Sequence, residues 1–146
     1  MSVAELRAFL NRPLVGVVAT TRADGAPHAV PVWYRYDEEA VHIWTDEARL
    51  WVRNVGREGR AAFCVHESEP PYAAVIMRGA AEAVTGGEEV MLEIYRIARR
   101  YLDEREVDRY VETQLGAHLR GHERWSGLRT VVTIRAHTVH SWSVGY

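Results

Sequence analysis

About seven runs of strand-like character, most joined by turns too short for a helical crossover, constrain this chain more than any other feature. Strands linked in that way pair antiparallel. Leu14 to Thr21 is rich in β-branched residues, Asp24-Gly25 is a strong turn signal, and His28 to Tyr36 resumes an extended pattern, which predicts a hairpin. Asp37-Glu38-Glu39 turns the chain into Ala40 to Thr45, where Val41, Ile43 and Thr45 alternate with His42 and Trp44. A three-strand meander is expected. Arg60 to His66, Tyr72 to Val84 with Gly79 as a bulge position, Leu128 to Arg135 and Thr138 to Val144 complete the set.

Helical periodicity is confined to three places. Ser2-Val3-Ala4-Glu5 has capping-box spacing ahead of Leu6, Phe9 and Leu10, and Pro13 closes that helix. From Asp46 to about Gly59, Leu50, Trp51 and Val55 share one face and Arg49, Arg53 and Arg57 the other. Glu88 to Tyr101 and Glu104 to Leu119 read as two consecutive helices. The expected fold class is mainly β, an antiparallel closed or split barrel with three helical insertions, in one domain spanning residues 1–146.

Composition removes several function classes. The longest apolar runs, such as Val15 to Ala19, are far shorter than the roughly 20 residues that cross a bilayer. The opening Met1-Ser2-Val3-Ala4-Glu5 does not read as a signal peptide, so a cytoplasmic protein is expected. Formal charge is −2, which makes no whole-chain case for nucleic acid or an anionic membrane. Cys64 is the only cysteine and reads as a buried, inert thiol. All eighteen basic residues are Arg, so a bound phosphate has to be held by Arg, hydroxyls or backbone N–H groups. The Gly-x-Gly-x-x-Gly, Walker and Gly-x-Ser-x-Gly patterns are absent.

Two segments carry candidate chemistry. In Ile43 to Val55 a strand passes directly into a helix, with Thr45 or Asp46 as the expected N-cap and Arg49 within reach of the first-turn amides, an arrangement that suits a phosphate. The alternative is a solvated face in which Arg49, Arg53 and Arg57 pair with Glu47 and Glu58, and spacing alone favours it. In the hairpin, Pro31 interrupts a strand-like run and puts the neighbouring backbone at an edge or groove, where amides near Val32 and Trp33 could bond the polar edge of a flat ligand. The alternative there is an ordinary edge strand with Trp33 in the core. His118 and His122 have a zinc-like spacing weakened by Gly121, and solvated histidines are the better reading. His28, His42, His66, His137 and His140 are scattered among strands, any of them open to a role as a haem ligand.

Taken together, the segments resemble the pyridoxamine-5′-phosphate-oxidase-like split-barrel superfamily, and more closely its flavin and deazaflavin (F-420) dependent oxidoreductases. The resemblance is carried by Thr20-x-x-x-Asp24-Gly25-x-Pro27-x-x-x-Pro31-Val32-Trp33, by Thr45, Arg49 and Asn54, by the strand Ala74 to Glu82, and by Trp142. It implies an FMN-binding-like split barrel and a homodimer with two cofactor sites between the subunits. The phosphate would lie near Thr45, Arg49 and Trp51, and the ring near Pro31, Val32 and Trp33. Trp142 becomes a candidate lid from the second subunit, and Arg78 a candidate contact or else a paired surface Arg. Many deazaflavin-binding relatives carry Lys where this chain has Trp51, so Arg49 or Arg53 would have to compensate, and Trp51 could stack on a ring or fill the pocket. The implied function is hydride transfer by F-420 or FMN to or from a planar organic substrate. The alternative is a non-catalytic barrel that binds or stores a flavin, haem or other planar ligand.

Overall fold

The two edge strands of the sheet are nearly consecutive in the chain, and that decides the architecture. The computed structural model describes residues 1–119 and 129–144, with side chains in the first stretch described as far as Gln114. Among these residues the elements run α1 (Val3–Leu10), β1 (Gly16–Thr21), β2 (Pro27–Val32), β3 (Arg35–Tyr36), β4 (Val41–Asp46), α2 (Leu50–Glu58), β5 (Arg60–His66), β6 (Ala73–Thr85), α3 (Glu88–Ala98), α4 (Glu104–Leu119) and β7 (Arg129–Ser143). The strands form one antiparallel sheet in the order β2-β1-β5-β6-β7-β4-β3. β2 and β3 lie at opposite edges yet are joined only by Trp33 and Tyr34, so the sheet has to curl until its edges meet. The result is a mainly β split barrel, with helices in three places.

Alternation along the strands fills the interior. Val18, Val41, Ile43, Phe63, Val65, Val75, Met77, Val132 and Ile134 point inward, and Trp51, Val52 and Val55 of α2 join the same core. Gly16 is required beside it, because a Cβ there would come within 2.3 Å of the Phe63 ring. Tyr34 of the link is buried: it packs edge-on to Phe63 at 4.9 Å and its hydroxyl donates to the Leu10 carbonyl at 2.9 Å, which ties the end of α1 to the seam.

The outer face is treated differently on its two halves. Over β4 and β7, α3 packs Val90 and Ile94 against Val131, with Trp44 and Met91 beside them, and Glu93 holds Arg35 of β3 in a partly buried ion pair. Over β1, β5 and β6 the outward Val17, Ala19, Ala62, Cys64 and Ile76 join no core cluster among the described residues. Beyond Ala136, β7 pairs with β6 alone and leaves Val139 and Trp142 exposed.

Several boundaries differ from the sequence expectation. The run from His28 to Tyr36 is broken at Trp33-Tyr34, since the chain crosses there from one sheet edge to the other. The two terminal runs join into the single strand β7, which absorbs the interruption as a bulge: Arg78 faces Thr138 and Gly79 faces Ala136, so His137 is the extra residue. Gly79 sits at the expected bulge, and a Cβ there would fall 1.8 Å from the Arg135 carbonyl oxygen. The N-cap of α2 is Arg49 and not Thr45 or Asp46. Those two residues stay in the ladder opposite Thr130 and Arg129, and the Asp46 carboxylate accepts the Ala48 amide at 2.8 Å, which turns the chain before the helix can begin.

Candidate functional site

The seam leaves a groove along β2, which has a strand partner on one side only. This groove encloses about 560 Å³ between β2, the end of β4, the start of α2 and α4. Pro31, Val32 and Trp33 line it from one sequence segment, Thr45, Arg49 and Trp51 from the other. Two stretches separated in sequence therefore meet in one place.

Part of the groove's lining is aromatic. Trp33 stacks on Tyr101 with centroids 4.7 Å apart and planes at 6°, and Tyr110 of α4 lies 5.7 Å from Trp33 and 5.9 Å from Trp44. Burial pushes the Tyr110 phenol up to about 12, against the opposing pull of the Trp44 indole N–H and the Arg129 charge. Tyr110 is thus a neutral phenol with an intact O–H, and the Arg129 guanidinium lies 5.8 Å over the Trp44 ring.

Another part of the lining is cationic. Arg49 has an extended backbone as N-cap and offers no side-chain cap, while Val52 and Arg53 bond back to its carbonyl at 3.1 and 3.3 Å. The Leu50 and Trp51 amides precede the first helical hydrogen bond and face the helix entrance, where the dipole favours negative charge. Among the described residues Arg49 takes part in no ion pair. Of the expected solvated ladder only the Arg57–Glu58 contact forms, at 3.3 Å, and Glu47 pairs with no arginine among the described residues. A guanidinium, the Thr45 hydroxyl and a helix entrance are what a phosphate needs.

Trp51 does not block this corner. Its side chain is 3% exposed and belongs to the barrel core, so its indole forms the inner wall and the space beside it stays open. Arg53 is exposed one turn beyond Arg49 and does not line the groove. Arg78 lies on β6 at a second cleft of about 730 Å³, with His137 and Arg60, and it makes no ion pair among the described residues. Trp142 stands opposite Ala74, 45% exposed and outside the groove of its own chain. Thr20 and Asn54 act on each other: the fully buried Asn54 amide donates to the Thr20 hydroxyl at 3.0 Å and pins α2 to β1.

Sequence reasoning missed five groove residues, His28, Val30, Trp44, Leu50 and Tyr110. His28 and Val30 share the face of Val32 on β2 and were legible as a two-residue repeat, and Trp44 was legible as the outward partner of Ile43. Tyr110 carried no such signal, because nothing in a helical repeat says where the helix docks. The zinc reading rests on the His118 side chain and on His122, neither of which is described. Among the described residues, no cluster of three His, Cys, Asp or Glu could hold a metal. Cys64 is half-buried, and burial pushes its thiol up. No described helix is long and apolar enough to cross a membrane.

The family model for pyridoxamine 5′-phosphate oxidase matches residues 2–143. The chain belongs to this family. Among curated proteins no sequence matches it. Three solved structures place this pyridoxamine 5′-phosphate oxidase family member among proteins of the same fold. The conserved hypothetical protein Rv2991 from Mycobacterium tuberculosis is similar at 24% identity and a TM-score of 0.77, over 98% of this chain and 85% of that one. An F420 reductase is similar at 22% identity and a TM-score of 0.68, over 92% and 94%. A heme binding protein from Mycobacterium smegmatis is similar at 20% identity and a TM-score of 0.66, over 99% of this chain and 57% of that one.

Proposed function

We infer that the groove binds a flavin or deazaflavin, FMN or F-420, and that the protein is an oxidoreductase acting on a planar organic substrate. One observation carries this reading: a single groove is lined both by the aromatic rings of Trp33, Trp44 and Tyr110 and by an arginine at a helix entrance that takes part in no ion pair among the described residues. The residues present fit the group. Arg49, Thr45 and the Leu50 and Trp51 amides would hold its phosphate, and Pro31, Val32 and Trp33 would lie against its ring. The bound cofactor supplies the hydride chemistry. The chain's own residues orient the ring, exclude water with Trp33, Trp44 and Tyr110, and neutralise the phosphate. Tyr110 keeps its proton available for donation at Oη.

The protein is proposed to work as a homodimer with the sites between its copies. The outward Val17, Ala19, Ala62, Cys64 and Ile76 and the exposed Trp142 supply an apolar surface for a second copy, which would carry Trp142 or Arg78 toward the other groove. A second reading, a non-catalytic binder of haem or another planar ligand, is favoured by half-buried His28 in the groove.

Absorbance spectra recorded while FMN, F-420 and haemin are titrated separate the readings. A shifted flavin or deazaflavin band is expected. A Soret band with no flavin response would replace the oxidoreductase by the haem binder.

A further inference from the structure

The ring wall of the groove depends on a residue that does not line it. Tyr101 follows α3 in the turn that leads to α4, and its ring lies parallel to Trp33 at 4.7 Å. Its hydroxyl accepts the Tyr34 amide at 3.1 Å, donates to the Leu14 carbonyl at 2.9 Å and lies 3.3 Å from the Tyr34 carbonyl. The preceding residue works on the same link: Arg100 donates to the Tyr34, Leu10 and Arg12 carbonyls and spreads its guanidinium 4.8 Å above the Tyr34 ring. Two consecutive residues thereby tie the end of α1, Leu14 and the Trp33-Tyr34 link to the α3–α4 turn.

The link needs such a tie. Trp33 and Tyr34 belong to no strand, so the sheet ladder does not fix them. The hydroxyl and Arg100 fix the backbone of the link, and the Tyr101 ring fixes the indole. Among the described residues Tyr101 is the only ring parallel to Trp33, since Tyr110 meets it tilted at 42°.

We propose that Tyr101 is a positioning residue, which by stacking on Trp33 sets the wall against which a flat ligand lies in the groove. The inference rests on the oxidoreductase reading for the identity of that ligand and not for the placement of Trp33.

The test uses the full chain labelled with 5-fluorotryptophan, the Trp33 fluorine resonance being assigned as the one lost in Trp33→Phe. Tyr101→Phe keeps the ring and loses the hydroxyl, whereas Tyr101→Gln and Tyr101→Leu lose the ring, Gln retaining a polar reach. In Tyr101→Phe the resonance stays near its wild-type position, and affinity for whichever of FMN, F-420 or haemin the wild type binds stays within about threefold. In both non-aromatic variants the resonance shifts and broadens and affinity falls about five- to tenfold, the range of one lost ring contact. If Leu fails to fold, Gln carries the comparison. An unmoved resonance in the folded non-aromatic variants overturns the proposal, and so does an equal loss in Phe and Gln. A wild type that binds none of the three ligands overturns the oxidoreductase reading instead, and the fluorine spectra still decide where Trp33 sits.

Discussion

Arg49 shows how much one side chain can mean at a helix entrance. It sits at the positive end of α2 with no carboxylate partner among the described residues, so its removal leaves no buried charge behind. Arg49→Ala is expected to weaken flavin or deazaflavin binding by about 1.5–3 kcal/mol, roughly ten- to a hundredfold, with the melting temperature unchanged. Isothermal titration with a parallel thermal melt checks both halves. Tyr34 makes a different statement. Burial raises its phenol from 10.0 to about 12, so between those values the folded state holds a proton that the unfolded chain has released. Its contribution to stability is therefore complete below pH 10 and is lost as pH rises toward 12. Urea unfolding across that window should show the decline, and Tyr34→Phe should make it shallower, the remainder coming from Tyr110, which burial raises in the same way. Why Arg49 was legible and Tyr110 was not is also a matter of residues: strand-to-helix order places an arginine beside the first-turn amides, whereas the aromatic wall is assembled by docking α4, which no local pattern encodes.

At the scale of elements, local chemistry was legible wherever it acts locally. The capping box of α1 forms as read, with the Ser2 hydroxyl accepting the Glu5 amide and the Glu5 carboxylate accepting the Ser2 amide. The start of α2 was misread because Thr45 and Asp46 are good cap residues that strand pairing with β7 retains in the ladder. Tertiary pairing overrode propensity there. The Gly79 bulge was legible because a glycine within a long strand pattern has few other uses. Its necessity can be measured: Gly79→Ala puts a methyl into the Arg135 carbonyl, and a loss of about 3 kcal/mol or more in urea is expected, beyond ordinary overpacking because the neighbour is backbone. Asn54→Leu should cost about 1–3 kcal/mol by leaving the buried Thr20 hydroxyl without its donor and freeing α2 from β1.

For the molecule as a whole, the closure of the barrel follows from strand order, and strand order is the part least visible in a sequence. Short turns imply antiparallel neighbours, but the placement of β7 between β6 and β4 brings the sheet edges together and could not be read from spacing. A groove on one half of the molecule and an apolar outer face on the other set up the assembly expected here. Analytical ultracentrifugation should give two copies per particle, and Ile76→Glu, a carboxylate on the outer face of β6, should shift the sedimentation toward one copy while the thermal melt stays cooperative. A single-copy wild type would remove the shared site.

The border strand β2 spends two of its six positions, Pro27 and Pro31, on residues that lack an amide hydrogen. A foreign ribbon seeking to zip onto that margin would find too few donors to build a regular ladder, whether it came from a neighbouring molecule or from a partly melted copy. Pro31, which lines the cleft, therefore also helps keep it from being sealed, and the two prolines together should make this margin a poor seed for fibrous self-association.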